Sequence, residues 1–123
     1  MQSILGNSRK ADITFRANGR IDISAGVAKH LQLCRGDAID VLVDRGEFYL
    51  YVKSRSVRGR HNARVFPTNK RGNHFRSSSC KLCLAILKEC GVTKRADLCV
   101  GEPVESHYGT LIPIITKHVL QYD

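Results

Sequence analysis

The feature that most constrains the fold of this 123-residue chain is a pattern that occurs twice: two alternating strands, a short helix and two further strands. The first copy opens with "DITFRANGRIDIS", in which Ile13 and Phe15 fall on one face, and Ile21 and Ile23 follow a turn at residues 17–19. Alternation of apolar and polar residues on both sides of a turn is typical of a β-hairpin. We therefore predict that the folded part of the chain begins with a hairpin.

A short helix and a second hairpin complete the first copy. Ser24 is a good N-cap residue, and the apolar residues after it keep helical spacing as far as Leu33. The helix is predicted to stop in "CRGD", where Gly36 can adopt the positive φ that other residues resist. The alternating segments "AIDVLV" and "FYLYV", joined by the turn "DRGE", predict the second hairpin.

The second half of the chain repeats this order of elements with low residue identity. "VFPTNKRGNHFRSS" occupies the place of the first hairpin, and a helix is predicted from about Ser79 to Cys90, with Gly91 at its end. "ADLCVGEPV" and "TLIPIIT" then occupy the places of the last two strands. Because Pro113 cannot donate a hydrogen bond within a sheet, we expect that last strand to be an edge strand or to carry a bulge.

The repeat predicts the fold class and the division of the chain. Hairpins alone are marginal in water, so one unit cannot bury its apolar face, whereas two units packed together can. We predict a mainly β fold with short helices, in which the hairpins of the two halves interleave in one barrel domain. Its parts are a flexible arm at residues 1–10, a first half at 11–53, a basic linker at 54–63 and a divergent second half at 64–118.

The composition favours a polyanionic partner. The chain has 20 Lys and Arg residues against 11 acidic ones, a net charge of +9 and a pI near 9.7. Its apolar runs are far shorter than the roughly 18 residues that span a membrane, and its first residues lack the apolar core of a signal peptide. Together with five cysteines, an odd number, this predicts a cytoplasmic protein with reduced thiols and no membrane partner.

Basic residues are concentrated in a segment without acidic ones. No Asp or Glu occurs from Phe48 to Lys88. Arg and Lys bind phosphates best without competing carboxylates nearby, so the segment favours nucleic acid; the alternative is a solvated connecting segment. Its few aromatic residues favour duplex DNA over a single strand. The basic residues of the segment are Lys53, Arg55, Arg58, Arg60, Arg64, Lys70, Arg71, Arg76, Lys81 and Lys88.

The motif "CKLC" permits three interpretations. Cys80 and Cys83 could bind zinc together with Cys90, His74 or His61, but one such pair without a second is a weak signal. The pair could also be redox-active, which we favour least. The favoured interpretation is core packing, because free cysteine behaves as a small hydrophobe and these residues fall on an apolar helical stripe. That stripe consists of Cys80, Cys83, Leu84, Leu87 and Cys90.

No set of residues predicts catalysis. His74, the serines at 77–79 and Asp97 could be assembled into a nucleophile, but no elbow motif or oxyanion-hole loop accompanies them. The serines are better explained as a helix cap, and Asp37 as a turn residue that accepts hydrogen bonds from nearby amides. We therefore predict no enzymatic activity, no cofactor and no metal site.

Residues 19–52 resemble the swapped-hairpin barrel domains of the AbrB and SpoVT type, a family of bacterial transition-state regulators and antitoxins. The likeness lies in Gly19-Arg20, the alternating Ile21 and Ile23, a short helix with Leu31 and Leu33, Gly36-Asp37, and the strands on either side of an acidic-basic-Gly turn. Members generally build the barrel from two chains. The resemblance therefore implies a swapped-hairpin β-barrel made from two tandem ββαββ units, an intramolecular pseudodimer.

The resemblance also implies a function and a binding surface. The function would be that of a DNA-binding transcriptional regulator or antitoxin-like protein, with double-stranded DNA as partner and a toxin or a second copy as a possible protein partner. Contacts would come from the first hairpin and the helix starts. Those residues are Arg16, Arg20 and Lys29 and, by pseudosymmetry, Lys70, Arg71, Arg76 and Lys81; the acid-free segment adds Arg55, Arg58, Arg60 and Arg64.

Two other classes of function stay open at this stage. The same barrel could be a non-enzymatic protein-interaction or assembly module, with its charge serving solubility or an acidic partner protein. A small enzyme or zinc protein acting on nucleic acid is the third hypothesis, and bound zinc would favour it.

Overall fold

A computed structural model describes residues 10–56, 58–59 and 62–120. In this part of the chain the fold is mainly β, as predicted, with nine strands and two helices. Neither of these helices is long and apolar enough to cross a membrane. The elements are β1 (Ile13–Arg16), β2 (Arg20–Ile23), α1 (Ala25–Leu31), β3 (Ala38–Asp44), β4 (Glu47–Ser54), β5 (Phe66–Pro67), β6 (Phe75–Ser78), α2 (Cys80–Cys90), β7 (Arg95–Val100), β8 (Val104–Ser106) and β9 (Gly109–Ile115).

The strands form one antiparallel sheet in the order β3-β4-β9-β7-β1-β2-β6-β5, and β8 pairs with β9 beside this path. Two strands from the first half of the sequence are followed by two from the second half, and this alternation repeats along the whole order. The β1–β2 hairpin therefore lies between β7 and β6, which both belong to the second half. Each half completes its sheet only with strands of the other.

The sheet is curled, and its two ends are joined by backbone hydrogen bonds. Gly36 N donates to Val65 O at 2.8 Å, and Val65 N donates to Asp37 O at 2.8 Å. Ile39 N donates to Ala63 O at 3.0 Å. These bonds connect the residues just before β5 to the residues at the start of β3.

The core lies on the concave side of the sheet, where alternate strand residues point inward. The predicted pairs on the first hairpin, Ile13 with Phe15 and Ile21 with Ile23, are all buried. Burying one such side chain contributes roughly 1.5–3 kcal/mol. Other buried apolar residues come from both halves and from both helices: Val27, Leu31, Leu50, Val65, Phe75, Cys83, Ile86, Leu87, Leu98, Ile112 and Ile114.

Both helices begin at serine caps, and they end differently. The side chains of Ser24 and Ser79 each accept a backbone N–H of the first turn, as expected for N-caps. The second helix ends at Gly91, which has the left-handed conformation predicted for it. The prediction for the first helix was wrong, because Gln32 already takes the left-handed conformation at φ 52°, and Gly36 instead shapes the turn before β3.

The buried face of α2 is rotated from the predicted stripe. Cys83, Ile86 and Leu87 are buried, whereas Leu84 is 56% exposed and Cys80 is exposed. Core packing is thus correct for Cys83 and wrong for Cys80. The buried residues Cys83, Ile86 and Leu87 have the i, i+3, i+4 spacing of one helix face. Leu84 is one position after Cys83, about a quarter turn around the helix, and on the side away from Ile86, so it points away from the core.

The expectation of an edge strand or a bulge at Pro113 was wrong, because β9 has β4 on one side and β7 on the other, and the register between β4 and β9 is continuous through Pro113. The carbonyl oxygen of Pro113 accepts the backbone N–H of Gly101 at 2.8 Å. Pro113 has no N–H group to donate to Gly101 in return. Gly101, however, lies one residue beyond the end of β7, so no bond of the β7–β9 ladder is lost. The proline is tolerated inside the sheet because the ladder to β7 stops at this point.

The turn of the first hairpin packs directly against the start of α2. The carbonyl oxygen of Gly19 accepts the backbone N–H of Ser79 at 2.8 Å. Gly19 has φ +95°, and a Cβ atom there would lie 2.8 Å from Cys80 Sγ and 3.2 Å from Cys80 N. Only glycine fits this position, for its conformation and for its size.

Replacing Gly19 with Ala should therefore be much more destabilising than a Gly→Ala change in an open turn. Gly46 is the matched control, since it has φ +79° and a Cβ atom added there would have no neighbour within 4 Å. Gly46→Ala should cost about 1 kcal/mol, and Gly19→Ala about 1–3 kcal/mol more, because the new methyl group has no space. Urea unfolding measures both. Equal effects of the two changes would contradict the close approach of the hairpin and α2.

Candidate nucleic-acid interface

The convex face of the sheet, opposite the core, carries a line of arginines across four neighbouring strands. Period-2 alternation places Arg16 of β1 beside Arg95 of β7, and Asp22 of β2 beside Arg76 of β6. Arg20 lies on the same face of β2. We call Arg95, Arg16, Arg20 and Arg76 the arginine row.

Asp22 holds three members of the arginine row at once. Its carboxylate accepts Nε–H from Arg16 at 3.3 Å, from Arg20 at 3.0 Å and from Arg76 at 3.0 Å. All three contacts use Nε. Among the residues that the structure describes, no hydrogen-bond partner is seen for the terminal amino groups Nη1 and Nη2 of these three arginines. Asp22 therefore orients three guanidinium groups and leaves their outer edges available.

The pKa of Asp22 reflects this arrangement. Partial burial raises the pKa, but the hydrogen bonds from Arg76, Arg20 and Arg16 and the charge of Arg20 outweigh it. The pKa consequently lies below the ordinary value of an aspartate. Asp22 is thus ionised at neutral pH, as an orienting group for arginines must be.

Asp97 orients Arg95, the fourth arginine of the row, in a similar way. Its carboxylate accepts Thr14 Oγ1–H at 2.8 Å, and Arg95 donates through Nε at 2.9 Å and through Nη2 at 2.6 Å. Burial raises the pKa of Asp97, but the bonds from Arg95 and Thr14 and the charges of Arg95 and Arg16 lower it more. The row thus has four arginines against two aspartates, a formal excess of two positive charges.

Arg55, one of the sequence-predicted DNA contacts, binds the end of the first helix. Its Nη1 donates to Gln32 O at 2.9 Å and to Asp37 Oδ2 at 2.8 Å, and its Nη2 donates to Leu31 O at 2.7 Å. Asp37 also accepts Cys34 N at 2.8 Å, which confirms its predicted role in a turn. Arg55 therefore satisfies carbonyl groups that the last turn of α1 leaves open.

Arg64, another predicted contact, is similarly engaged within the chain. Its Nη1 donates to Gly36 O at 2.7 Å and to Ser56 O at 3.0 Å, and its Nη2 donates to Gly59 O at 3.2 Å. These bonds fix part of the segment that the sequence predicts to be a linker. A contact of Arg55 or Arg64 with DNA remains a prediction, but both guanidinium groups already serve the fold.

The other sequence-predicted contacts lie outside the arginine row. Lys29 is exposed on α1, and Lys81 is exposed in the first turn of α2. Lys70 and Arg71 are exposed in the connection from β5 to β6, and Arg58 is exposed after β4. Arg60 lies outside the described residues. The structure thus brings together Arg16, Arg20 and Arg76 from the predicted set.

The roles of Arg95 and of the two aspartates that hold the row were not predicted from the sequence. Arg95 lies outside the acid-free segment, where most of the predicted contacts lie. The signal was the alternation in "RADL", "TFR" and "RID", where charged residues occupy the positions between apolar ones. Only the strand register shows that these positions are neighbours.

The described residues contain no group of three or more His, Cys, Asp or Glu side chains that could hold a metal ion. Cys80 and Cys83 both contact the turn of the first hairpin: Cys80 Sγ lies 3.8 Å from Asn18 O, and Cys83 Sγ lies 3.6 Å from Arg20 O. Burial raises the pKa of the Cys83 thiol. Among the residues considered for a nucleophile, Ser77 donates to Arg64 O, Ser79 caps α2, and Asp97 binds Arg95 and Thr14.

Comparisons of the chain with protein-family models, with curated proteins and with solved structures found no match.

Asp97 should make the stability of the protein sensitive to acid. Because its pKa is lower in the folded than in the unfolded chain, its contribution is fully present above about pH 4 and is lost as the pH falls through the folded pKa. Asp97→Asn should reduce the free energy of unfolding at pH 6 by about 1–3 kcal/mol, and should flatten the decline of that free energy below about pH 4.

Urea unfolding at several pH values measures this effect. Asp44→Asn is the matched control, since Asp44 is exposed at the end of β3. That variant should keep both the stability and the pH profile of the original protein. If Asp97→Asn kept the original profile too, the ion pair with Arg95 would not stabilise the fold.

Proposed function

We propose that this protein is a DNA-binding regulator or antitoxin-like protein that binds the phosphates of duplex DNA through the arginine row. The observation that carries the proposal is the set of three guanidinium groups that Asp22 orients through Nε. Arginine binds phosphate best with two parallel N–H donors, and a guanidinium group held in place loses less entropy on binding. The outer edges of Arg16, Arg20 and Arg76 have this form.

The length of the arginine row suits a nucleic-acid backbone. Neighbouring strands in a sheet lie roughly 4.8 Å apart, so a row across four strands extends about 14 Å. One strand of B-DNA carries a phosphate per roughly 3.4 Å of helix axis. The row therefore extends over the axial rise of about four phosphates of one strand, and the net charge of +9 would attract DNA from a distance.

The same proposal covers the finer description of the fold. Alternating pairs of strands from the two halves are the arrangement expected of a swapped-hairpin barrel built from two tandem ββαββ units. The bonds between Gly36, Asp37 and Val65 support a closed barrel. We assign the chain to the AbrB and SpoVT type on this strand order together with the residues of segment 19–52, and place it in the cytoplasm.

A protein-interaction or assembly module is the second candidate function, and one observation favours it. The β8–β9 hairpin exposes three large apolar side chains, those of Val104, Tyr108 and Ile115. Exposed apolar residues on one hairpin are typical of contact surfaces for other proteins. A toxin or a second copy of this chain would suit that hairpin and leave the arginine row accessible.

The DNA-binding proposal predicts a specific salt dependence. With a random-sequence duplex, the logarithm of the association constant should fall against the logarithm of salt concentration with a slope of about −3, since three arginines of the row have open outer edges and each phosphate contact contributes roughly −0.9. The double variant Arg20→Gln, Arg76→Gln should weaken binding to all sequences and reduce the slope by about two. Fluorescence anisotropy at several salt concentrations measures both quantities.

Arg45→Asn is the matched control, because it also removes positive charge from an exposed turn. Arg45 has φ 52° between β3 and β4, and asparagine tolerates that conformation. The affinity of the Arg45→Asn variant for DNA, and the slope of its salt dependence, should stay close to those of the original protein. No binding at low salt would contradict the proposed function, and an unchanged slope in the double variant would show that DNA binds elsewhere.

A further inference from the structure

A cleft of about 700 Å³ lies at one end of the arginine row. It is formed where β2, β6 and β5 adjoin. Its lining combines positive charge, hydroxyl groups and one aromatic ring. The lining includes Arg20, Phe66, Arg76 and Ser78, and we call the space the Phe66 cleft.

The strand register explains why these side chains meet. Arg20 is paired with Ser78, and Arg76 is paired with Phe66, so all four lie on the convex face of three adjacent strands. Side chains directly opposite each other across antiparallel strands have Cβ atoms about 4.5–5.5 Å apart. Arg76, which Asp22 orients, is therefore directly opposite Phe66, and Arg20 lines the same cleft from the next strand. A site that binds only phosphate needs cations but no aromatic ring, so the ring indicates a ligand that has more than a phosphate group.

Phe66 is unusual because it is 48% exposed in a strongly basic environment. The adjacent Pro67 restricts the backbone, and the guanidinium carbon of Arg35 lies 5.7 Å from the centre of the ring. Aromatic rings beside phosphate-binding cations are the typical platform for stacking nucleic-acid bases. In a duplex, the faces of the bases are covered by their neighbours. A ring at this position can therefore stack on a base that has left the stack, but not on a base inside the duplex.

We infer that the Phe66 cleft binds one unpaired nucleotide, with its phosphate between Arg20 and Arg76 and its base against Phe66. The inference rests on the proposed function and names its substrate more closely: duplex DNA with a single-stranded end, the duplex on the arginine row and the overhanging nucleotide in the cleft. The shared chemistry is a nucleotide phosphate with its base. A free nucleotide has the same chemistry, so the experiment distinguishes the two sources.

The test compares a blunt duplex with a duplex that has a three-nucleotide overhang, at equal numbers of phosphates and one salt concentration, by fluorescence anisotropy. The original protein should bind the overhang duplex about 5- to 150-fold more tightly, the effect of stacking one base. Phe66→Leu should remove this preference and keep the affinity for the blunt duplex, whereas Phe66→Tyr should retain the preference.

Tyr108→Leu is the matched control, since Tyr108 is a similarly exposed aromatic residue on the β8–β9 turn. That variant should keep the preference for the overhang. Equal affinity of the original protein for both duplexes, or a preference that survives in Phe66→Leu, would overturn the inference. If the protein bound the overhang duplex but not the blunt duplex, the result would support the Phe66 cleft and contradict the arginine row as a duplex surface. If it bound neither duplex, both proposals would be contradicted.

A third measurement uses a fluorescently labelled adenosine 5′-monophosphate without DNA. We expect the free nucleotide to bind far more weakly than the overhang duplex, because it lacks the contacts along the arginine row. Tight binding that is lost in Phe66→Leu, with no preference between the two duplexes, would assign the cleft to free nucleotides and overturn its role at DNA ends.

Discussion

The position of the β1–β2 hairpin between β7 and β6 determines both the core and the candidate interface. An isolated hairpin is marginal in water, and this one obtains both its neighbours from residues more than fifty positions further along the chain. Its inward side chains, Phe15 and Ile21, are completely buried only because those neighbours are present. Neither half of the chain is expected to form the core alone, so folding of the two halves is coupled.

The same pairing creates the candidate interface. Asp22 and Arg20 come from the first half, and Arg76 comes from the second, 54 positions after Asp22. The three guanidinium groups around Asp22 exist as a group only when β6 lies beside β2. Surface ion pairs contribute little to stability, typically below about 1 kcal/mol each, so their value here lies in orientation. The aspartate limits the freedom of the arginines and leaves their outer donors for a ligand.

The strands and helices could be predicted from the sequence better than the way in which they pair and pack. Alternation identified the hairpins, and Ser24, Ser79 and Gly91 marked helix ends correctly because their roles depend on local chemistry. The end of α1 was misplaced because a long-range contact, Arg55 with the carbonyls of Leu31 and Gln32, stabilises it there. Similarly, Arg55 and Arg64 have the same local appearance as Arg76, and only the folded chain separates arginines that bind carbonyl groups from those that point outward. Arg95 belongs to the arginine row because the strand register places it there. No local sequence pattern encodes strand register.

An NMR measurement of the arginine Nε–H groups during titration with duplex DNA tests whether the arginine row binds DNA. In the free protein, the Nε–H signals of Arg16, Arg20 and Arg76 should exchange slowly with water, because all three are bonded to Asp22. On addition of DNA, the same three signals should shift together and stay visible, as the outer edges of the guanidinium groups bind phosphates. If these signals stayed unchanged while those of other basic residues shifted, the arginine row would not be the DNA-binding surface.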